Sequence, residues 1–169
     1  LLASSAASDV YKRQYRNFMD DDCKVIVDPE QLRRVINNIV SNSLKYTDKP
    51  KVEITMDVKD VGDFIQIELG DNGRGIAAKD LPFIFDRFYR ADASRNSSKG
   101  GSGIGLSLVQ RLIELHHGRI ELDSEENKGS TFSVYLPQDL SVYKPSELAS
   151  NNEQNEEEQV YSTLSLIHI

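Results

Sequence analysis

The chain of 169 residues has no tryptophan, a single cysteine and only five prolines. One cysteine cannot form an intrachain disulfide and has no partner at a metal-ligand spacing, so the sequence predicts neither a disulfide framework nor a zinc motif. No apolar run approaches the roughly 18 residues that a membrane-spanning helix needs. The opening LLASSAA is short and has no preceding basic region, so a signal peptide is not expected in it.

A basic face is also missing. The formal net charge is −7, and residues 139–169 contribute −5 of it through six acidic side chains and one lysine. Residues 1–138 therefore carry only −2. A protein that binds nucleic acid through its phosphates needs clustered lysine and arginine, so a nucleic-acid partner is not expected.

Patterning divides the chain into three segments. Residues 15–138 carry helical and strand periodicities and are expected to form one domain. Residues 1–14 have no convincing period, and residues 139–169 are expected to be an acidic, disordered tail. The hexapeptides DVYKRQ at 9–14 and LSLIHI at 164–169 resemble translated sequencing adaptors, and both are interpreted as non-native.

The secondary structure is predicted from local signals. Asp28-Pro29 is typical of a helix N-cap followed by proline at the first helical position, and an amphipathic helix is expected over 31–46. A second amphipathic helix follows Ile104 and ends at His117-Gly118. Alternating apolar residues predict strands at 24–27, 51–59, 64–69, 119–123 and 131–136, with a hairpin turn at 60–63.

An acidic glycine motif, DNGRGI at 71–76, directly follows the third of these strands. Gly73 and Gly75 allow a tight turn and a close approach of ligand to backbone. The carboxylate of Asp71 could accept a hydrogen bond from an exocyclic amine such as that of adenine, and such buried acceptors discriminate strongly. A plain Asn-Gly turn is the alternative interpretation.

A second glycine cluster, GGSGIGL at 100–106, immediately precedes the second helix. Unpaired amides at a helix N-terminus favour phosphate binding. The spacing is neither that of a dinucleotide-binding fold nor that of a P-loop. A flexible hinge is the alternative interpretation of the motif. Residues 91–102 are polar, and an unusually long, mobile and functional loop is expected there.

Three polar residues of the first helix, Asn38, Asn42 and Lys45, fall within about 60° of one another around the helix axis. Neutral amide oxygens can bind Mg²⁺ when phosphates complete its shell. Lys45 and the more distant Arg90 could neutralise phosphate charge. A solvated helix face and ordinary surface cations are the alternatives.

Taken together, five motifs resemble those of the catalytic ATP-binding domain of bacterial sensor histidine kinases, within a superfamily that includes gyrase, Hsp90 and MutL. The resemblance covers about residues 24–137. In chain order its segments are 35–47 (N box), 71–76 (G1 box), 84–90 (F box), 101–106 (G2 box) and 129–132 (last glycine box). The resemblance implies an α/β two-layer sandwich, the Bergerat ATP-binding fold, in which a mixed, mainly antiparallel sheet has helices on one face.

The resemblance also implies ligands and residue roles. ATP and Mg²⁺ would be bound, with the adenine amino group on Asp71 and the metal on Asn42 and Asn38. Lys45 and Arg90 would face the phosphates and, with Asn38, would be the catalytic residues. Residues 91–102 would be the ATP lid. Further nucleotide contacts would come from other residues of these motifs: Tyr46, Gly73, Gly75, Ile76, Phe88, Gly101, Ser102, Gly103, Ile104, Gly105, Leu106 and Thr131.

The implied reaction transfers the γ-phosphoryl group of ATP to a histidine on a separate dimerisation domain, and then to the receiver domain of a response regulator. The sequence contains no such histidine-bearing helical segment, so the chain is expected to bind ATP, to lack its own phosphoacceptor and to be monomeric. It would be a cytoplasmic domain of a protein anchored in the cell membrane.

Three alternatives remain at this stage. A gyrase- or MutL-like ATPase uses a glutamate one turn before the metal-binding asparagine, where this chain has Asn38, a poor base. A serine kinase of the anti-sigma-factor type fits the phenylalanine-rich segment 84–90 less well. A degenerate nucleotide-binding or interaction module is disfavoured because Asp71, Asn42 and the glycines are present.

Overall fold

The computed structural model describes residues 11–18, 24–91, 103–145 and 165–168, with 11–18 and 165–168 as backbone alone. Its strands are β1 (Tyr11–Phe18), β2 (Lys24–Val27), β3 (Val52–Asp60), β4 (Phe64–Asp71), β5 (Arg119–Glu125), β6 (Gly129–Pro137) and β7 (Ser165–His168). Its helices are α1 (Pro29–Lys45) and α2 (Gly105–Leu115), with 3₁₀ turns at Leu81–Phe83 and Leu140–Val142. The main sheet has the order β1-β3-β4-β6-β5, and β2 pairs with β7.

The main sheet is mixed but mainly antiparallel. β1 runs parallel to β3, whereas the pairs β3–β4, β4–β6 and β5–β6 are antiparallel. The β3–β4 hairpin turns at Gly62, which has a φ of 84°, and the backbone N–H of Val61 donates to the carbonyl of Phe64. The predicted hairpin is therefore confirmed.

Helix α1 begins where the sequence predicts. The side chain of Asp28 accepts hydrogen bonds from the backbone N–H groups of Glu30 and Gln31, at 2.8 and 3.1 Å. Pro29 occupies the first helical position, where a missing N–H costs nothing. Val35 and Ile39 face the core, which leaves the asparagine face of the helix for the cleft described below.

Two rows of side chains on neighbouring strands form the centre of the core. On β4 the buried row is Ile65, Ile67 and Leu69, and the paired row on β6 is Leu136, Val134 and Phe132. Residues from α1 and α2, among them Ile39 and Val109, belong to the same cluster. The helices thus cover one face of the sheet, as the predicted two-layer sandwich requires.

The opposite face of the sheet is polar. Lys59 on β3 donates to Glu68 on β4 at 3.0 Å, and Gln66 donates to Glu68, Ser133 and Tyr135. Alternation of apolar and polar residues along β4 and β6 is what a sheet with one covered face requires.

Two features were not predicted from the sequence. The strand β1 spans the expected boundary at residue 14 and pairs along its whole length with β3. Ordered structure also continues beyond residue 138, because Tyr143 is 5% exposed and its hydroxyl reaches the carbonyl oxygens of Ile26 and His116. The described structure thus extends past the expected boundary at residue 138, and residues 146–164 lie outside the described part of the chain.

Candidate functional site

A cleft of about 770 Å³ lies between α1, the end of β4, the start of α2 and the β5–β6 turn. It brings together distant parts of the sequence that carry the predicted chemistry. Eleven of the predicted site residues line it: Asn38, Asn42, Lys45, Tyr46, Asp71, Gly75, Ile76, Arg90, Gly103, Gly105 and Leu106.

The carboxylate of Asp71 is held at one end of this cleft by two donors. Its Oδ1 accepts a hydrogen bond from the backbone N–H of Gly73, and its Oδ2 accepts one from the hydroxyl of Ser43, both at 2.8 Å. An ionised carboxylate offers about four acceptor positions, so this arrangement fixes its orientation and leaves capacity for a ligand donor. Gly73 supports the site through its amide and does not itself line the cleft.

The register of β4 and β6 corrects one predicted residue. Asp71 pairs with Ser130, whereas Thr131 pairs with Gly70 on the other face of the sheet. Ser130 is buried and lines the cleft, and Thr131 does not line it. Because side chains alternate between the faces of a strand, the hydroxyl beside Asp71 is that of Ser130.

A second hydroxyl network supports the same region. Ser124 on β5 lies with its Oγ 2.9 Å from the Oγ of Ser130. The Ser124 hydroxyl also accepts from the backbone N–H of Ile76 and donates to the carbonyl of Gly129, both at 2.9 Å. These bonds fix the segment after Asp71 to the β5–β6 turn.

Asn38 on α1 presents its side-chain oxygen toward the helix α2. The side-chain amide nitrogen of Asn38 donates to the carbonyl of Arg34 at 2.8 Å. Its Oδ1 is directed at Gly105, where a Cβ would lie only 3.1 Å from it. The amide oxygen of Asn38 is thus of a type suited to a hard cation, and Asn42 also lines the cleft. No three His, Cys, Asp or Glu side chains form a metal-binding group in the described part of the chain.

Among the described residues, three with cationic side chains line the cleft: Lys45, Arg74 and Arg90. The Nζ of Lys45 and the Cζ of Arg74 each lie 5.1 Å from the centroid of the Tyr46 ring. This distance is within the range of a cation–π interaction. Positive charge and an aromatic ring thus occur together beside the acidic pocket of Asp71.

The glycine cluster before α2, which the sequence predicts to bind phosphate, lies only partly within the described residues. Gly103, Gly105 and Leu106 line the cleft, and the residue at the helix N-cap, Ile104, provides no side-chain hydrogen bond to the first helical amides. Such amides are available to an anion. Gly101, Ser102 and most of the predicted lid, residues 92–102, lie outside the described residues.

Two residues that the resemblance assigned to nucleotide contacts do not line the cleft. Phe88 is 65% exposed and Ile104 is 38% exposed, and neither side chain lines the cleft. Phe88 has a φ of 67°, and its backbone N–H donates to the carbonyl of Gly103 at 2.9 Å. This hydrogen bond joins the Phe88 backbone to Gly103, a residue that lines the cleft.

Sequence reasoning missed several cleft residues, among them Ser43, Arg74, Asp80 and Tyr89. The hydroxyl of Tyr89 donates to Asp80 at 2.7 Å, and this hydrogen bond raises the pKa of the Tyr89 phenol. The only sequence sign of Ser43 was its position one turn after Ile39 on the buried face of α1. Nothing in the sequence pairs Asp80 with Tyr89, because the turns that join them have no regular period.

Comparison with known proteins agrees with the fold and the motifs. The family of histidine kinase-, DNA gyrase B- and HSP90-like ATPases matches residues 27–140. The chain is 39% identical over 123 residues to the sensor histidine kinase WalK of Bacillus subtilis, which is 72% of this chain and 20% of that protein. It is 42% identical over 107 residues to the signal transduction histidine-protein kinase ArlS of Staphylococcus aureus, which is 63% of this chain and 23% of that protein.

Solved structures share the architecture. The catalytic domain of the histidine kinase ThkA aligns with a TM-score of 0.64 at 22% identity, over 78% of this chain and 82% of that one. The mycobacterial sensor histidine kinase MprB aligns with a TM-score of 0.63 at 21% identity, over 78% and 84% of the two chains. At these identities the structures establish the fold alone.

The chain spans about a fifth to a quarter of the curated relatives it matches. Within the described residues, no helix has both the length and the apolar character to cross a membrane. The match over most of the domain, the five ordered motifs and the shared sandwich agree with one another. The chain belongs to the family of histidine kinase-, DNA gyrase B- and HSP90-like ATPases, and it is the ATP-binding catalytic domain of a sensor histidine kinase.

Proposed function

We propose that the cleft binds magnesium-ATP and that the domain transfers the γ-phosphoryl group to a histidine on a separate helical domain. The observation that carries the proposal is the fixed carboxylate of Asp71, which Ser43 and the Gly73 amide orient in the cleft. Asn38 lies five residues before Ser43 on α1, about 7 Å along the helix axis. Base-binding and metal-binding groups are therefore spaced for one nucleotide.

The two parts of the nucleotide would meet different chemistry. Asp71 accepts a hydrogen bond from the exocyclic amine of adenine, an interaction that a base without this amine cannot make. The amides at the start of α2, together with Lys45 and Arg90, face the phosphates. Asn42 and Asn38 would hold magnesium, which supplies charge neutralisation at the phosphate oxygens.

Transfer to a histidine is favoured over hydrolysis by the residue one turn before Asn42. That position is Asn38, whose amide is not a base and whose nitrogen already donates to Arg34. The site therefore lacks at this position a group that would activate water. In the proposed step an imidazole nitrogen forms a bond to the γ-phosphorus as the bond to the β,γ-bridging oxygen breaks, and ADP leaves.

The proposed partners follow from this reaction. The acceptor histidine would be on the dimerisation and phosphotransfer domain of the parent kinase. A receiver domain of a response regulator would then take the phosphoryl group onto an aspartate. The domain would act on the cytoplasmic side of a membrane-anchored parent.

Thermal unfolding with and without magnesium-ATP tests the binding step. At 100 times its dissociation constant, the ligand is expected to stabilise the native domain by about 2.7 kcal/mol. Asp71→Asn and Asn42→Ala should lose this increase, whereas Asp123→Asn, a matched change of an exposed aspartate on β5, should retain it. No increase in a chain that unfolds cooperatively would contradict the proposal and favour a non-catalytic interaction module.

The transfer step needs a second measurement. A histidine-bearing helical dimerisation domain, added to the wild-type chain with γ-labelled ATP and magnesium, should become labelled in an acid-labile form. Labelling should require the histidine of the added domain. Release of free phosphate with no labelled acceptor would show hydrolysis instead of transfer.

A further inference from the structure

Arg74 is the side chain that the segment 72–75 contributes to the cleft. The two glycines of this segment have no side chain, and the side chain of Asn72 bonds to the backbone of Glu53 and Lys51 at the start of β3. Arg74 is half-buried, although arginines are mostly exposed. Its guanidinium lies beside the ring of Tyr46, which also lines the cleft.

The backbone around Arg74 is fixed relative to the rest of the site. The carbonyl of Arg74 accepts a hydrogen bond from the N–H of Asn127 at 2.7 Å. The next residue, Gly75, has a φ of 66°, and a Cβ there would overlap the carbonyl oxygen of Glu125. The position of the Arg74 Cα is therefore set by the β5–β6 turn.

We propose that Arg74 contacts the purine: its guanidinium stacks on the face of the base whose edge Asp71 binds, with the ring of Tyr46 beside it. This inference rests on the proposed nucleotide function and adds a residue to it. A guanidinium is planar and weakly hydrated, and it stacks on aromatic faces more readily than an ammonium does. Lys45 lies at the same distance from Tyr46 but has no planar group, which suits it to the phosphates.

Asp71 and Arg74 would contribute differently to recognition of the base. Asp71 accepts from the edge of the base, so it selects among bases. Arg74 covers a face, and every purine has a face, so its contribution should be similar for adenosine, ADP and ATP. A long-range charge effect would instead grow with the number of phosphates and weaken at high salt.

The test compares Arg74→Ala and Arg74→Lys with wild type. The dissociation constants of adenosine, magnesium-ADP and magnesium-ATP are measured at low and high salt by displacement of a fluorescent ADP analogue. Arg119→Ala is the matched control, because Arg119 also lies over a tyrosine ring, at 3.9 Å from Tyr135, outside the cleft. We expect both Arg74 variants to bind all three ligands about fivefold more weakly.

The outcomes separate this inference from the proposed function. Unchanged adenosine binding, or recovery of ATP binding in Arg74→Lys, would overturn the stacking role. If Arg74→Ala does not fold, Arg74→Lys decides, since it retains the charge and removes the planar group. A folded wild-type chain that binds none of the three ligands would overturn the proposed function and with it this inference.

Discussion

The hydroxyl of Ser43 donates to the carboxylate of Asp71 across 2.8 Å and joins the buried face of α1 to the end of β4. Ser43 is 7% exposed and Asp71 is partly exposed in the cleft, so this hydrogen bond is partly buried. The backbone N–H of Gly73 occupies the other carboxylate oxygen. The carboxylate that we propose to recognise the base is thus oriented in the absence of a ligand.

Ser43→Ala should weaken ATP binding without unfolding the domain. The change removes a donor to a charged acceptor, and such a bond contributes about 1.5 kcal/mol, or about tenfold in affinity. Titration calorimetry with magnesium-ATP measures the effect. Ser133→Ala, on the polar face of the sheet, should bind ATP as wild type does. Equal affinities in Ser43→Ala and wild type would contradict an orienting role.

Gly75→Ala should lower the free energy of unfolding far more than Gly62→Ala does. Both glycines have positive φ, at 66° and 84°, so both changes introduce backbone strain of about 1 kcal/mol. A Cβ at Gly62 meets nothing within 4 Å, whereas one at Gly75 would overlap the backbone of Glu125. Urea unfolding should show a loss of about 1 kcal/mol for Gly62→Ala and at least about 3 kcal/mol for Gly75→Ala.

Stability should fall at acidic pH because of His116. Burial lowers the pKa of this imidazole below 6.5, while its Nε2 accepts from the N–H of Asp28 and its Nδ1 donates to the carbonyl of Leu112. The unfolded state therefore binds the proton more readily. The stabilisation from the neutral ring is present above about pH 6.5 and is lost as the pH falls below that value.

Urea unfolding of wild type and His116→Gln between pH 8 and pH 5 measures this linkage. The wild-type free energy of unfolding should fall by up to about 1.4 kcal/mol per pH unit more than that of the variant, which has no imidazole at this position. If the unfolding free energies of wild type and His116→Gln fell in parallel with pH, groups other than His116 would cause the loss of stability in acid.

Tyr143 should stabilise the domain although it lies beyond the predicted boundary. Tyr143→Phe removes the hydroxyl that reaches Ile26 and His116 and should cost about 1 kcal/mol. Tyr143→Ala also removes a buried ring and should cost about 3 kcal/mol or more. Val142→Ala, at a side chain 40% exposed, is the control and should change stability little. If Tyr143→Ala left the free energy of unfolding unchanged, the boundary of the stable domain would lie near residue 138, as predicted.

Local sequence signals predicted most of the elements. The Asp28-Pro29 cap, the apolar face of α1 and the alternation along β4 and β6 each depend on near neighbours, so they can be recognised without a structure. The cleft residues Asn38, Asn42 and Asp71 were found because their motifs have characteristic spacings and a resemblance to a known family.

Long-range pairings explain the errors. The bond between Ser43 and Asp71 joins residues 28 positions apart, and no local pattern encodes it. Phe88 was assigned to the nucleotide by its motif, but its side chain is 65% exposed and does not line the cleft. The choice of Thr131 over Ser130 could have been avoided, because Phe132 is clearly a core residue and alternation places Ser130 on the same face.

The buried rows of β4 and β6 have a consequence for how the site can evolve. Asp71 and Ser130 continue the rows that pair Ile65 with Leu136 and Leu69 with Phe132. A slip of one residue between these strands would expose the apolar rows and turn both polar groups away from the cleft. Selection for a well-packed core therefore also preserves the geometry of ligand recognition, and the domain cannot acquire a misplaced carboxylate while remaining folded in this register.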